Sequence, residues 1–199
     1  MSGIVLAGGR SARFGADDKL AALYAGMPLA HHAVLRAAEL TGDVVVVISP
    51  GAPEPSMPPG TPVRYARDAV QDEGPLAAAV AGLGIVDREL ALLAGGDMPT
   101  IAMPVVLEML RVASEADVDA VALQDGDGFR PLPVVVRVVR ARDAGHALLH
   151  DGERSLRGWL RTMRVAVIDE ATWTALDPGR ETLRDIDEPA DLGRGGDGR

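Results

Sequence analysis

Apolar residues in this chain gather in short, uninterrupted runs, and between the runs lie segments with helical spacing. Ile4–Ala7 is such a run and ends in Gly8-Gly9, the pattern of a buried strand feeding a loop. Pro28–Leu40 has helical spacing and leads into the Val-rich run Asp43–Ser49, typical of a central parallel strand. Pro50–Pro62 carries six prolines and is predicted to be a surface loop. Val63–Ala66 reads as a short strand, Gly74–Gly84 as a helix of small residues, and Glu89–Ala94 as a buried strand ending in Gly95-Gly96-Asp97. Pro104–Ala116 reads as a helix and Ala120–Leu123 as a strand. The second half is less regular: a strand over Pro131–Val139, helices over Ala141–His150 and Ser155–Met163, a strand at Val165–Ile168, and a last short helix at Glu188–Leu192.

Strands that alternate with helices predict an α/β fold, a Rossmann-like doubly wound and mostly parallel sheet in a single domain. In such sheets ligands gather at the carboxyl ends of the strands, where Gly8-Gly9 and Gly95-Gly96 both fall. The expected domain covers residues 1–192, and the Gly-rich segment Gly193–Arg199 is expected to be a flexible tail.

Composition narrows the function. At 199 residues the chain suits one domain with a substantial core. Aromatic residues are only 3%, so Ala, Val and Leu must build that core. A formal charge of −9 argues against a broad nucleic-acid surface but leaves room for a small anion in one local basic loop. With no Cys, disulfides, thiolate metal sites and Cys nucleophiles are excluded. No segment approaches the roughly 20 apolar residues of a membrane span, and the N-terminus lacks a signal-peptide pattern. A cytoplasmic location is therefore expected.

The segment Leu6-Ala7-Gly8-Gly9-Arg10-Ser11-Ala12-Arg13-Phe14-Gly15-Ala16-Asp17-Asp18-Lys19 carries the chemistry. Glycines after a strand let backbone N–H groups approach an anion. Arg13 then adds a planar fork for phosphate oxygens and Lys19 a mobile point charge. The order is neither the dinucleotide fingerprint nor the phosphate loop that ends in Gly-Lys-Ser/Thr.

This string resembles the signature of the molybdenum cofactor guanylyltransferases and their relatives among the nucleotidyltransferases. The likeness continues at Asp68, at Gly74-Pro75-Leu76 and at Asp97-Met98-Pro99. It returns more weakly at Arg130-Pro131-Leu132, Gly152-Glu153-Arg154-Ser155 and Asp185-Ile186-Asp187-Glu188-Pro189. The resemblance implies that Leu6, Ala7, Gly8 and Gly9 line the nucleotide and that Lys19 and Arg13 hold its phosphates. It further implies that Asp68 contacts the nucleotide and that Asp97 binds Mg²⁺. For Asp97 the plainer alternative is a cap for the helix that follows, and for Asp68 it is an ordinary loop carboxylate.

Asp185 and Asp187 sit two apart and face the same way in an extended segment. Asp187 is the candidate second metal ligand, Asp185 is its rival, and a cap for the last helix is the alternative for either. The family commonly shows Asn-x-Asn-Thr-Pro here. Two other departures are Ala77-Ala78 where Ala-Gly is usual, and Arg130 where a smaller or neutral residue often stands. Arg130 is either a phosphate clamp for the second substrate or a solvated loop residue. His146 and His150, four apart, lack a third ligand and read as helix surface, while Trp159 and Trp173 read as core.

The expected activity is Mg²⁺-dependent transfer of GMP from GTP to molybdopterin, with Arg13, Lys19 and Asp97 as the catalytic set. The alternatives are a cytidylyltransferase or other cofactor-precursor or sugar-phosphate transferase of the same fold, and a non-catalytic nucleotide-binding protein.

Overall fold

A computed structural model describes residues 1–8, 19–67 and 74–192. The first strand, β1 (Ser2–Leu6), is buried along its whole length. After the undescribed segment come a 3-10 turn at Lys19–Ala21 and a small hairpin of β2 (Leu23–Tyr24) and β3 (Met27–Pro28). Its turn places Ala25 and Gly26 at positive φ, as a tight hairpin requires. Helix α1 (Leu29–Thr41) and strands β4 (Val44–Ile48) and β5 (Val63–Arg67) follow. Next are α2 (Pro75–Gly84), β6 (Leu90–Gly95) and α3 (Met103–Glu115). The last third holds β7 (Ala120–Asp125), β8 (Gly128–Arg137), α4 (Val138–His150), α5 (Leu156–Arg161), β9 (Val165–Ile168), α6 (Glu170–Leu176) and α7 (Pro189–Leu192).

Seven strands form one sheet in the order β5-β4-β1-β6-β8-β7-β9. All neighbours are parallel except β8, which runs against both β6 and β7. The doubly wound α/β expectation therefore holds. Because the side-chain period of a strand is two, alternate residues feed opposite faces. Ile4, Val45, Val47 and Leu93 pack on one face with α2, α4 and α5, where Leu76, Leu83, Trp159 and Leu160 complete the cluster. Val5, Val44, Val46 and Ile48 meet α1 on the other face. On that same face Leu92, Val121, Leu123 and Val135 meet Val105, Met109 and Trp173. A sheet covered on both sides explains why these strands read as continuous apolar runs.

The differences from the sequence reading are the unexpected hairpin of Leu23–Tyr24 and Met27–Pro28 and several in the last third. The expected strand Pro131–Val139 begins earlier, at Gly128, and yields Val138 and Val139 to α4. Asp125 faces Gly128 in the ladder, so Gly126-Asp127 is a two-residue hairpin loop that sends β8 back antiparallel. Pro131 and Pro133 cannot donate to a ladder, and they fall in the stretch where the β7–β8 register shifts. Helix α6 was not expected. It is capped by Asp169, whose carboxylate accepts from the Thr172 N–H at 2.8 Å, and it is anchored by the fully buried Trp173. The expected tail, residues 193–199, lies outside the described residues. Among the described residues no helix is long and apolar enough to cross a membrane.

Candidate functional site

The carboxyl edge of the sheet is stitched tightly around β1. The Ala7 N–H donates to the Val47 carbonyl at 2.8 Å and the Gly96 N–H to the Leu6 carbonyl at 2.9 Å, so the ends of β1, β4 and β6 are held side by side. A Cβ on Gly8 would stand 3.3 Å from Ser49 Oγ, which leaves the backbone here close-set and open. Leu6, Ala7 and Gly8 lie at the carboxyl end of β1. Gly9, Arg13 and Asp68, named in the sequence reading, lie outside the described residues.

Lys19 is the centre of the site. Its ammonium donates to Asp97 Oδ2 at 2.8 Å and to Asp187 Oδ1 at 2.9 Å, and the residue is buried, with 8% exposed. Burial pulls its pKa down, but the two carboxylates outweigh that and raise it, so the lysine is firmly charged. Asp97 is presented by the Gly95-Gly96 turn. A Cβ on Gly95 would lie 2.3 Å from Asp97 Oδ1, so only glycine lets the carboxylate occupy this place. Asp97 is not a helix cap: α3 starts after Ala102 and has no side-chain cap. The N–H groups of Asp187 and Glu188 both donate to the Asp191 carboxylate, at 3.3 and 3.1 Å.

Asp185 and Asp187 take different partners. Ile186 between them is fully buried with Tyr24 and Leu29, and its N–H donates to the Asp97 carbonyl at 3.0 Å. Asp187 turns to Lys19, whereas Asp185 Oδ2 accepts from Arg130 Nη2 at 2.5 Å. The same Arg130 nitrogen donates to the Leu183 carbonyl at 3.1 Å. Arg130 is therefore a strand residue fixed to the 183–187 segment, not a solvated loop residue. Burial pushes the Asp185 carboxyl up to about 6 against the pull of Arg130, with the charges of Asp97 and Asp187 adding to the rise.

Beside this cluster a cleft of about 650 Å³ opens between the start of α1 and the proline-rich loop, lined among others by Ala7, Leu20, His31, Ser49, Pro53 and Met57. The loop is held in place. Tyr65 Oη donates to the Pro55 carbonyl at 2.7 Å, Arg67 Nη1 to the Ala52 carbonyl at 2.6 Å, and His31 Nε2 meets the Ser56 carbonyl at 2.7 Å. The sequence reading placed the loop correctly but missed its part in walling a cleft; six prolines, which stiffen a chain, were the available signal.

Two weaker motifs of the sequence also meet. Gly74, at φ 89°, lies so close to the 152–155 turn that its Cβ would come 3.0 Å from the Arg154 carbonyl, and the Leu76 N–H donates to that carbonyl at 3.2 Å. Ala77 and Ala78 are both buried in α2. His146 and His150 are exposed on α4, and Trp159 and Trp173 are core residues, as expected.

Asp97 Oδ2 and Asp187 Oδ1 converge on one positive atom. That atom is the Lys19 ammonium; the two carboxylates are of the hard-oxygen type that suits Mg²⁺, which takes one or two carboxylates and completes its shell with phosphate and water. Among the described residues no group of three or more acidic, His or Cys side chains is arranged to hold a metal ion.

Comparison with known proteins identifies the family and the fold. The family model described as "MobA-like NTP transferase domain" matches residues 3–167. The molybdenum cofactor guanylyltransferase of Bordetella pertussis is 32% identical over 193 residues, covering 94% of this chain and 94% of that protein. The probable molybdenum cofactor guanylyltransferase of Chloroflexus aggregans is 29% identical, over 96% of this chain and 91% of that protein. Among solved structures, molybdopterin-guanine dinucleotide biosynthesis protein A from Archaeoglobus fulgidus superposes with a TM-score of 0.78 at 20% identity, covering 98% of this chain and 96% of that one. The 2-C-methyl-D-erythritol 4-phosphate cytidylyltransferase of Thermus thermophilus shares the fold at a TM-score of 0.69 and 17% identity, over 96% and 95% of the two chains. With its glycine turns, Lys19 and Asp97 set at the carboxyl edge of a doubly wound sheet, the chain belongs to the family of MobA-like NTP transferases.

Proposed function

We propose that this protein is a cytoplasmic, Mg²⁺-dependent nucleotidyltransferase that transfers GMP from GTP to molybdopterin and releases pyrophosphate. The observation that carries the reading is the meeting of Lys19 with Asp97 and Asp187 beside Leu6-Ala7-Gly8. The acceptor and the base are supported by the two relatives above, whose names give molybdenum cofactor guanylyltransferase activity.

On this reading the terminal phosphate oxygen of the acceptor attacks the α-phosphorus of GTP. A new P–O bond forms there as the bond to the β-phosphate oxygen breaks, and pyrophosphate leaves with that electron pair. The nucleophile is already ionised, so no general base is needed. Leu6, Ala7, Gly8 and Gly9 line the nucleotide, with Asp68 as a further contact. Lys19 and Arg13 hold the phosphates and stabilise the negative charge that grows on the leaving group. Asp97 and Asp187 would hold Mg²⁺, which would neutralise phosphate charge. Catalysis is then mostly positioning and charge neutralisation.

The test is incubation with molybdopterin, Mg²⁺ and each of the four triphosphates, with pyrophosphate release as the readout. GTP should exceed CTP and ATP by at least about tenfold in kcat/KM, roughly 1.4 kcal/mol. A preference for CTP would remove the guanylyl assignment, and no pyrophosphate with any triphosphate would remove catalysis altogether.

A further inference from the structure

We propose that Arg130 is a positioning residue: by pairing with Asp185 it keeps that carboxylate out of the cation-binding set and leaves Asp97 and Asp187 to face the metal. The inference rests on the proposed metal role of those two aspartates.

Three carboxylates crowd the carboxyl edge of the sheet at Asp97, Asp185 and Asp187, and two cations answer them. Lys19 spans Asp97 and Asp187, at 2.8 and 2.9 Å. Of these three, Arg130 takes Asp185, through Nη2 at 2.5 Å, while its Nη1 lies 3.7 Å from Asp125 Oδ2. The difference in partners has a mechanical cause. Arg130 belongs to β8 and faces Leu123 of β7 in the ladder, so its guanidinium projects from a paired strand. Its second bond, to the Leu183 carbonyl at 3.1 Å, fastens the backbone just before Asp185. The buried Ile186 and its N–H bond to the Asp97 carbonyl fasten the residue just after. Between these two points the only free choice left to the segment is where its carboxylates turn. The guanidinium settles that choice for Asp185, and Asp187 meets Lys19.

Loss of Arg130 would do two things. It would free a third negative charge beside the cation position, and it would slacken the segment that aims Asp187. Loss of the Asp185 carboxylate would do the opposite electrostatically, leaving the guanidinium with only the more distant Asp125 carboxylate and a net positive charge that repels a divalent ion. Removing both would restore the charge balance. This separates the inference from the simpler idea that Arg130 touches the acceptor phosphate, because that contact cannot be rescued by changing Asp185.

The experiment uses the full chain as wild type, Arg130→Gln, Asp185→Asn and the double variant. Mn²⁺ alone serves as the spectroscopic probe of cation binding, alongside pyrophosphate release and thermal melting. Since one full charge is added or removed near the ion, Arg130→Gln should tighten Mn²⁺ binding and Asp185→Asn weaken it, each by at least about threefold. Arg130→Gln should also lower kcat at least about tenfold, and the double variant should return to within about twofold of wild type in Mn²⁺ affinity, kcat and melting temperature. If Arg130→Gln does not fold alone, a folded and active double variant is itself the rescue. A double variant as slow as Arg130→Gln, or unchanged Mn²⁺ affinity in both single variants that bind it, overturns the proposal. Asp97→Ala tests the metal reading separately. If wild type binds no Mn²⁺, or binds it equally well after Asp97→Ala, the metal role fails, and the rescue of turnover and melting still decides whether Arg130 acts through Asp185.

Discussion

The N–H of Ile186 donates to the carbonyl of Asp97 at 3.0 Å, and this single backbone bond joins the end of β6 to a segment almost at the far end of the described chain. Its effect on the site is direct. Ile186 is driven into the apolar cluster with Tyr24 and Leu29, so Asp187 is delivered next to Asp97 with Lys19 between them. The site therefore depends on an apolar contact as much as on its charges.

Replacement of Asp97 by Ala should leave the fold intact and abolish turnover, because the side chain is partly exposed at a strand end and supports no helix cap. A loss of at least about 10²-fold in kcat is expected for a group that organises a metal. Pyrophosphate release and circular dichroism on the same sample check it, and near-normal rates would remove Asp97 from the mechanism.

Lys19→Ala should leave Asp97 and Asp187 facing each other without their shared cation and lower kcat/KM for GTP by at least about tenfold. Lys19→Arg should recover only part of this, since a planar fork does not replace a compact ammonium. Steady-state kinetics of the three proteins decide it; equal rates would make the lysine a purely structural tie.

Gly95→Ala should displace the Asp97 carboxylate, because the new methyl would stand 2.3 Å from its Oδ1. Turnover should fall at least about tenfold, in line with the sensitivity of catalysis to sub-ångström misplacement. Gly84→Ala is the comparison: nothing lies within 4 Å of its Cβ position, so activity and melting temperature should hold or rise slightly. The idea fails if both variants behave alike.

Part of the acid limb of stability should trace to Asp119. Burial pushes its carboxyl up, but hydrogen bonds from Arg164 and Arg140 prevail and hold it far below the usual carboxylate range. A depressed folded pKa means that its stabilising effect is present above the unfolded value of about 4 and drains away as pH falls below it. Thermal melts from pH 7 down to pH 2 should show wild type losing its margin over Asp119→Asn below about pH 4. Parallel curves would assign the acid sensitivity elsewhere.

Much of this was readable in the residues. The apolar runs at Ile4–Ala7, Asp43–Ser49 and Glu89–Ala94 became β1, β4 and β6 within one or two residues, because a strand buried on both faces must be apolar throughout. Gly8 and the Gly95-Gly96 turn pointed to the carboxyl edge as the candidate site, since a close backbone approach admits little else. Legibility fell in the last third, where the signals are short: a two-residue loop at Gly126-Asp127 reverses β8, and α6 hangs on one cap and one tryptophan.

What the residues could not say is how the charges pair. Spacing put Asp185 and Asp187 on one side of an extended segment, yet Asp187 answers Lys19 and Asp185 answers Arg130. Two separate oddities of the sequence, an arginine before Pro131 and an aspartate before Ile186, prove to be one ion pair. Local sequence determines backbone form because its forces act within a few residues. Which carboxylate meets which cation is set by strand order and by where Ile186 is buried, and those are decided only when the whole sheet has closed around them.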